Sequence, residues 1–121
     1  MPTLTLEHTS NIRFDTHDTL RALNHTLLAS GQFNELGIKS RAVCMTDVVI
    51  GTEADERGFV IIKLGLLSGR SVAVRDGIAD ALLAQIQQLI PAPTGLTVQY
   101  CIDLVEHERE RYRKAIVANT I

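Results

Sequence analysis

Residues 59–67, FVIIKLGLL, are almost all apolar, and several of them are β-branched. A short apolar run of this kind is typical of a strand that is buried on both faces of a sheet. The hydrophilic stretch GTEADERG precedes it at residues 51–58, and SGRS follows it at residues 68–71. These flanks predict a turn before the strand and a helix start after it.

The segment after this strand predicts a helix and then another strand. Apolar residues recur at helical spacing up to the PAP at 91–93, which must end the helix; they are Val74, Ile78, Leu82, Ile86 and Leu89 or Ile90. Ser71 is the expected N-cap residue. Residues 96–104 then alternate between apolar and polar side chains, as expected of a strand with one buried face.

The first half of the chain predicts the same order of elements. Residues 3–9 alternate as a strand, a helix is expected from Asp15 or Thr16 to near Gly31, and residues 41–50 have strand composition. We therefore expect a single domain over residues 1–121, with β-α-β halves at about 1–50 and 59–105. A short solvated helix is expected in the charged segment 106–121, where three pairs have helical spacing: Glu106–Arg109, Glu108–Arg111 and Glu110–Lys114.

Two β-α-β halves predict an α+β protein with a four-stranded sheet. Helix-length crossovers join parallel strands, and two such units place both helices on one face of the sheet. The chain then has little to cover the other face, although residues 59–67 would place apolar side chains there. This uncovered face predicts an oligomer.

Composition excludes several classes of partner. The net charge of −2 gives no general attraction for nucleic acid or an anionic membrane, and 4% aromatic residues without tryptophan do not favour base stacking. The first residues lack the pattern of a signal peptide, so Cys44 and Cys101 are expected to be reduced, buried thiols of a cytoplasmic protein. The histidines have no metal-ligand spacing.

Four short motifs, in order along the chain, resemble one enzyme family. They are Met-Pro entering a strand, NIR at 11–13, GIKSR at 37–41 and SGRS at 68–71. Together they resemble the 5-carboxymethyl-2-hydroxymuconate isomerase family of the tautomerase superfamily. The resemblance implies a duplicated β-α-β fold with a mixed sheet, a homotrimer, a small di- or tricarboxylate substrate, and neither metal nor organic cofactor.

The resemblance also implies a reaction. The family converts 5-carboxymethyl-2-hydroxymuconate from its enol to its conjugated keto form in homoprotocatechuate (4-hydroxyphenylacetate) degradation. Pro2 is the expected catalytic residue, because removal of Met1 leaves a secondary amine that can act as a base. An apolar pocket and nearby cations would lower the pKa of this amine towards the working pH.

Lys39, Arg41 and Arg70 are the expected substrate-binding residues. The family has arginines associated with substrate binding and charge stabilisation at the positions of Lys39 and Arg70. An arginine beside the helix N-terminus at Ser71 also suits a carboxylate. Lys39 could equally be a solvated cation, and Arg41 a salt-bridge partner at a surface or interface.

Two residues depart from the family pattern and leave other functions open. Lys39 keeps the positive charge but lacks the bidentate geometry of arginine, and Val43 stands where a family member has histidine. The alternatives are an enzyme that acts on another 2-hydroxydienoate or enol acid, and a non-catalytic trimeric binding protein. Retention of Met1 would favour the last, because an amide nitrogen at Pro2 is not a base.

Overall fold

The computed structural model describes residues 1–120 and contains two α-helices and four strands in this part of the chain. In chain order the elements are β1 (Thr3–Thr9), α1 (Thr16–Ala29), β2 (Lys39–Met45), β3 (Arg57–Leu67), α2 (Val72–Leu89) and β4 (Thr97–His107). Short 3-10 turns lie at Glu35–Gly37 and Arg109–Arg111. The charged segment 106–121 ends at Ile121, which lies outside the described residues.

The strands form one mixed sheet in the order β2-β1-β3-β4. Strands β1 and β2 are parallel, as are β3 and β4, whereas the central pair β1 and β3 is antiparallel. Each helix joins a parallel pair, and the two helices lie against each other on one face of the sheet. The expected α+β architecture is confirmed.

The core lies between this face of the sheet and the helices. Every second residue of β3 is buried, and these side chains meet the buried faces of both helices; the central set is Val60, Ile62, Leu64, Leu66, Leu23, Leu27, Leu82 and Ile86. On the opposite face, Phe59 and Ile61 are half-buried and Lys63 is exposed. Within one chain, β3 is therefore covered on one face, because both helices lie against that face. Burial of its other face stays a prediction for the oligomer.

The ends of both helices follow the predicted chemistry. The Asp15 carboxylate accepts a hydrogen bond from the Asp18 amide at 3.0 Å, and the Ser71 hydroxyl accepts one from the Val74 amide at 3.2 Å. These bonds satisfy amide groups that have no partner inside the helix. After α1, Gly31 adopts a φ of +74°, which glycine tolerates better than other residues.

The NIR motif joins the end of β1 to the start of β3. The Asn11 side-chain amide donates to the Arg57 carbonyl at 2.9 Å, and the Thr9 hydroxyl accepts from the Phe59 amide at 3.2 Å. A Cβ at Gly58 would lie 2.8 Å from the Thr9 hydroxyl oxygen, so this close approach requires glycine. Asn11 therefore has a structural role at the junction.

The C-terminal segment differs from its prediction. Strand β4 continues to His107, and only the short turn Arg109–Arg111 follows, so the expected helix is wrong. Of the expected ion pairs, Glu108–Arg111 is present at 3.8 Å, but Glu106 instead binds Arg75 of α2 at 2.6 Å. The charge spacing favours a helix locally, but Glu106 and His107 pair with Leu66 and Leu67 of β3. This pairing continues the strand through the start of the segment.

Two further details correct the sequence-based expectations. Strand β2 spans Lys39–Met45 and not residues 41–50, because its pairing with β1 ends at Met45. Both Cys44 and Cys101 are exposed in the single chain, so their predicted burial is wrong there. Between residues 1 and 120, no helix combines the length and the apolar character needed to cross a bilayer.

Leu82 and Leu83 provide a matched test of this core. Leu82 is fully buried between α2 and the sheet, whereas its neighbour Leu83 is 36% exposed. We expect Leu82→Ala to lower the free energy of unfolding by about 2–5 kcal/mol, because it leaves a cavity. Leu83→Ala should cost much less in urea titrations at equal protein concentration, and equal losses would contradict the described packing.

Gly77 provides a second test. This glycine lies inside α2, and a Cβ built there has no neighbouring atom within 4 Å. Gly77→Ala should therefore stabilise the protein by about 0.5–1 kcal/mol through helix propensity. Gly58→Ala, where the backbone is crowded, should destabilise it in the same urea titrations. A destabilising Gly77→Ala would show that this helix face is packed in solution.

Candidate active site

The pairing of β1 brings the N-terminus between the two segments predicted to bind substrate. Thr3 lies opposite Lys39 in β2 and opposite Gly65 in β3. The Lys39 amide also donates to the Pro2 carbonyl at 3.3 Å. Pro2 is buried, and the loop after β3 carries Arg70 to the same end of the sheet.

A cleft of about 390 Å³ opens at this end of the sheet. Met1, Arg70, Arg109 and Lys114 line it together with apolar and amide side chains; the other lining residues are Gln32, Phe33, Asn34, Leu36, Gly37, Leu67 and Ile116. No carboxylate of residues 1–120 is among them. The cleft therefore presents several positive charges and can attract an anion.

Arg70 is held in place by both neighbouring loops. Its guanidinium donates to the Leu67 carbonyl at 3.2 Å, and to the side-chain and backbone oxygens of Gln32 at 3.3 and 3.1 Å. The same group lies over the Phe33 ring, 4.7 Å from its centroid. Burial and the nearby Arg109 charge lower the pKa of Arg70, although a guanidinium stays protonated. These contacts orient a permanent cation at the cleft.

The terminal amine lies in the same positive field. Burial is the largest cause that lowers the pKa of the Met1 amine, followed by the charges of Lys39, Lys114 and Arg70. The amine also donates to the Tyr112 hydroxyl at 3.1 Å. Lys39 itself is exposed, and its ammonium donates to the Gly37 carbonyl at 2.5 Å. At a given pH, a larger fraction of this amine is therefore neutral than of a terminal amine that is fully exposed to water.

Three residues of the C-terminal segment that lie at the cleft or contact the terminal amine were not found from the sequence: Arg109, Tyr112 and Lys114. The Arg109 side chain donates to the Ser68 carbonyl at 3.0 Å, and its amide donates to the Ser68 hydroxyl at 3.1 Å. The predicted solvated helix would have kept these residues away from the N-terminus. Tyr112, the only aromatic residue after Tyr100, was the available signal that this segment packs against the domain.

Arg41 does not line the cleft. It lies two residues beyond Lys39 in β2, opposite Thr5, and is exposed. Within residues 1–120 it forms neither an ion pair nor a side-chain hydrogen bond. The structure thus brings Pro2, Lys39 and Arg70 to one end of the sheet and leaves Arg41 and Val43 on the exposed part of β2.

The histidines have other surroundings. His8 packs edge-on against Phe14, with ring centroids 4.7 Å apart, and its Nδ1 lies 3.0 Å from the Thr9 carbonyl oxygen. Across the described range, no three His, Cys, Asp or Glu side chains lie where they could hold a metal ion together. His8 is thus a core residue.

Comparison with known proteins shows to which family this chain belongs. The family model for 5-carboxymethyl-2-hydroxymuconate isomerase matches residues 2–115. The fold is similar to a 5-carboxymethyl-2-hydroxymuconate isomerase from Deinococcus radiodurans R1, with a TM-score of 0.86 and 27% identity over 94% of this chain and 88% of that one. It is also similar to a 5-carboxymethyl-2-hydroxymuconate delta-isomerase, with a TM-score of 0.83 and 20% identity over 97% and 89% of the two chains.

More distant structures share the fold alone. A fused 4-OT that forms a symmetric trimer has a TM-score of 0.71 at 17% identity, over 99% of this chain and 94% of that one. None of the curated proteins compared gives a significant sequence match. The family match over nearly the whole chain nevertheless confirms the resemblance: this isomerase belongs to the 5-carboxymethyl-2-hydroxymuconate isomerase family of the tautomerase superfamily.

Proposed function

We propose that this enzyme converts the enol form of 5-carboxymethyl-2-hydroxymuconate to its conjugated keto isomer. The reaction would be a step of homoprotocatechuate (4-hydroxyphenylacetate) degradation, with Pro2 as the base after removal of Met1. Neither a metal nor an organic cofactor is required for this proton transfer. The family match and the cationic cleft at the N-terminus support the proposal.

One observation carries it: the terminal amine lies among Lys39, Lys114 and Arg70, and its pKa is lowered. Removal of Met1 would transfer the terminal amine to Pro2, one residue closer to the sheet. The same cations and the same apolar walls would then act on a secondary amine. A prolyl amine is more basic than other terminal amines, so such surroundings bring it towards neutral pH.

The proposed reaction moves one proton. The neutral Pro2 amine accepts the proton of the 2-hydroxyl group, directly or through water, while the oxygen becomes a carbonyl and the double bonds shift. The resulting prolinium returns a proton to carbon, and the amine is neutral again. A base whose pKa lies near the working pH can do both, and such transfer typically contributes about 10²–10⁴-fold to the rate.

Arg70 is the proposed partner of a substrate carboxylate. Its three hydrogen bonds to loop oxygens fix the guanidinium but use only part of its five donors. Lys39 is proposed to add positive charge beside the amine. For Arg41, which lies outside the cleft of its own chain, binding of substrate and pairing at a subunit interface remain the two alternatives.

We further propose that residues 1–121 act as a single tautomerase-like domain in a homotrimer. The sheet face with Phe59 and Ile61 is not covered by either helix, and these apolar side chains suit burial against other subunits. The fused 4-OT of the same fold is a symmetric trimer. A cytoplasmic location would keep the free thiols of Cys44 and Cys101 reduced.

Lys39 supports a second candidate substrate class. Its ammonium donates to the Gly37 carbonyl and cannot form the two parallel bonds of an arginine. Another 2-hydroxydienoate or enol acid, whose binding requires only a single positive charge at residue 39, would suit this site equally well. A non-catalytic trimeric binding protein remains the alternative if Met1 is retained.

The role of Pro2 as the base can be tested directly. Protein whose intact mass shows a Pro2 terminus should ketonise 5-carboxymethyl-2-hydroxymuconate, measured by ultraviolet absorbance. Pro2→Ala should lose at least about 10²-fold in kcat, because a primary amine at the same place is a poorer match for this role. Full activity in protein that retains Met1, or in Pro2→Ala, would contradict the proposed base.

The pH dependence of the rate tests the lowered pKa of the terminal amine. The neutral amine is the active form, so kcat/KM should rise with pH through the amine pKa, and a lowered pKa places this rise at lower pH. Removing the charge at residue 39 should raise that pKa and move the rise to higher pH. Lys39→Met should show this shift in pH–rate profiles.

Lys63→Met is the matched control for this prediction. Lys63 pairs with Glu7 at 3.2 Å and, unlike Lys39, is not among the charges that lower the pKa of the terminal amine. Its profile should keep the position of the wild-type enzyme, provided that size-exclusion chromatography shows the same assembly for both variants. Equal profiles for Lys39→Met and wild type would show that Lys39 does not influence the base.

A further inference from the structure

Two cations of the cleft, Arg109 and Lys114, have no assigned contact with the substrate in the reaction proposed above, although the Lys114 charge helps to lower the pKa of the terminal amine. We propose that Arg109 and Lys114 form a second carboxylate subsite, which makes the cleft selective for ligands with two or more carboxylates. This inference deepens the proposed function and rests on it for the identity of the substrate. It assigns a binding role to a segment that lies beyond the last strand of the sheet.

Neither residue has a counter-ion within residues 1–120. The Arg109 side chain uses Nε for the Ser68 carbonyl, and its two terminal nitrogens have no acceptor in the part of the chain that the structure describes. The expected Glu110–Lys114 pair is absent among residues 1–120, and no carboxylate lines the cleft that both cations share with Met1 and Arg70. Donors of this kind are available to a ligand.

The two cations reach the cleft from a segment that is anchored at two points. The Arg109 amide and side chain bind Ser68, next to the loop that carries Arg70. Three residues further on, the Tyr112 hydroxyl accepts from the terminal amine at 3.1 Å. Lys114 then lies against Gly37, since a Cβ built there would be 3.7 Å from the Lys114 Nζ. The Ser68 contacts do not involve Met1, so they hold the subsite beside Arg70 after Met1 is removed as well.

Charge explains why such a subsite selects for the number of carboxylates. Arg70, Arg109, Lys114 and the terminal amine repel one another when the cleft holds no anion. One carboxylate relieves this repulsion in part, whereas a second one at Arg109 and Lys114 adds charge-assisted hydrogen bonds. 5-Carboxymethyl-2-hydroxymuconate carries three carboxylates, which is enough for Arg70 and the second subsite together.

Muconate and sorbate are matched probes for this inference, because they share a six-carbon diene chain and carry two carboxylates and one, respectively. In isothermal titration calorimetry, the wild-type enzyme should bind muconate more tightly than sorbate. Lys114→Met should weaken muconate binding by about tenfold and leave sorbate binding unchanged, as expected for a lost charge-assisted contact. Lys114→Arg should restore muconate binding.

Arg111→Met is the control, because it removes one charge from the same segment at a residue that pairs with Glu108 and does not line the cleft. It should bind both probes as the wild type does. Equal affinity of the wild type for muconate and sorbate would overturn the subsite, as would equal losses in Lys114→Met and Arg111→Met.

Kinetics separates this inference from the proposed reaction. With 5-carboxymethyl-2-hydroxymuconate, at a pH where the Pro2 amine is neutral in both proteins, Lys114→Met should raise KM by about tenfold. It should leave kcat near the wild-type value, because the lost binding is equal in the ground state and the transition state. A loss of kcat alone would overturn the binding role. If the wild type has no turnover but the calorimetric difference is present, the subsite stands and the proposed reaction is wrong.

Discussion

The antiparallel pairing of β1 with β3 is the constraint on which the rest of the structure depends. It joins two parallel β-α-β halves into one sheet and places Leu4 and Leu6 beside Ile62 and Leu64 in the core. A shift of one residue would turn every one of these side chains to the other face. The core therefore fixes the register, and the register fixes where the N-terminus lies relative to the loops proposed to bind substrate.

The candidate site is a consequence of this register. With Thr3 opposite both Lys39 and Gly65, the N-terminus lies between the start of β2 and the end of β3. Arg70 follows β3 by a few residues, so each half of the chain contributes one cationic side chain to the candidate site: Lys39 from the first half and Arg70 from the second. Positive charges crowded at one point cost free energy in the absence of an anion. Burial and the same crowding lower the pKa of the Met1 amine, and the crowding suits the binding of an anion.

Much of the fold could be predicted from the sequence because its signals are local. The alternation in residues 3–9, the apolar spacing in α2 and the caps at Asp15 and Ser71 identified their elements correctly. Pro2, Lys39 and Arg70 were candidates through short motifs, and the structure places them at one end of the sheet.

What the sequence did not reveal depends on contacts between distant residues. Charges at helical spacing predicted a helix after residue 106, but pairing with Leu66 and Leu67 extends β4 and the Ser68 contacts direct the segment towards the N-terminus. Lys114 and Arg109 could not be assigned to the cleft without these contacts. The exposure of Cys44 and Cys101 also depends on which face of each strand the helices cover.

The most direct test of this account is a ¹⁵N NMR titration of the Pro2 amine in protein labelled with ¹⁵N-proline, after intact mass shows that Met1 is absent. Only this proline can titrate, because Pro91 and Pro93 have amide nitrogens. We expect a pKa below that of the same amine in the peptide PTLTLE. A pKa equal to or above the peptide value would contradict the claim that burial and the cations around the N-terminus lower the pKa of the base.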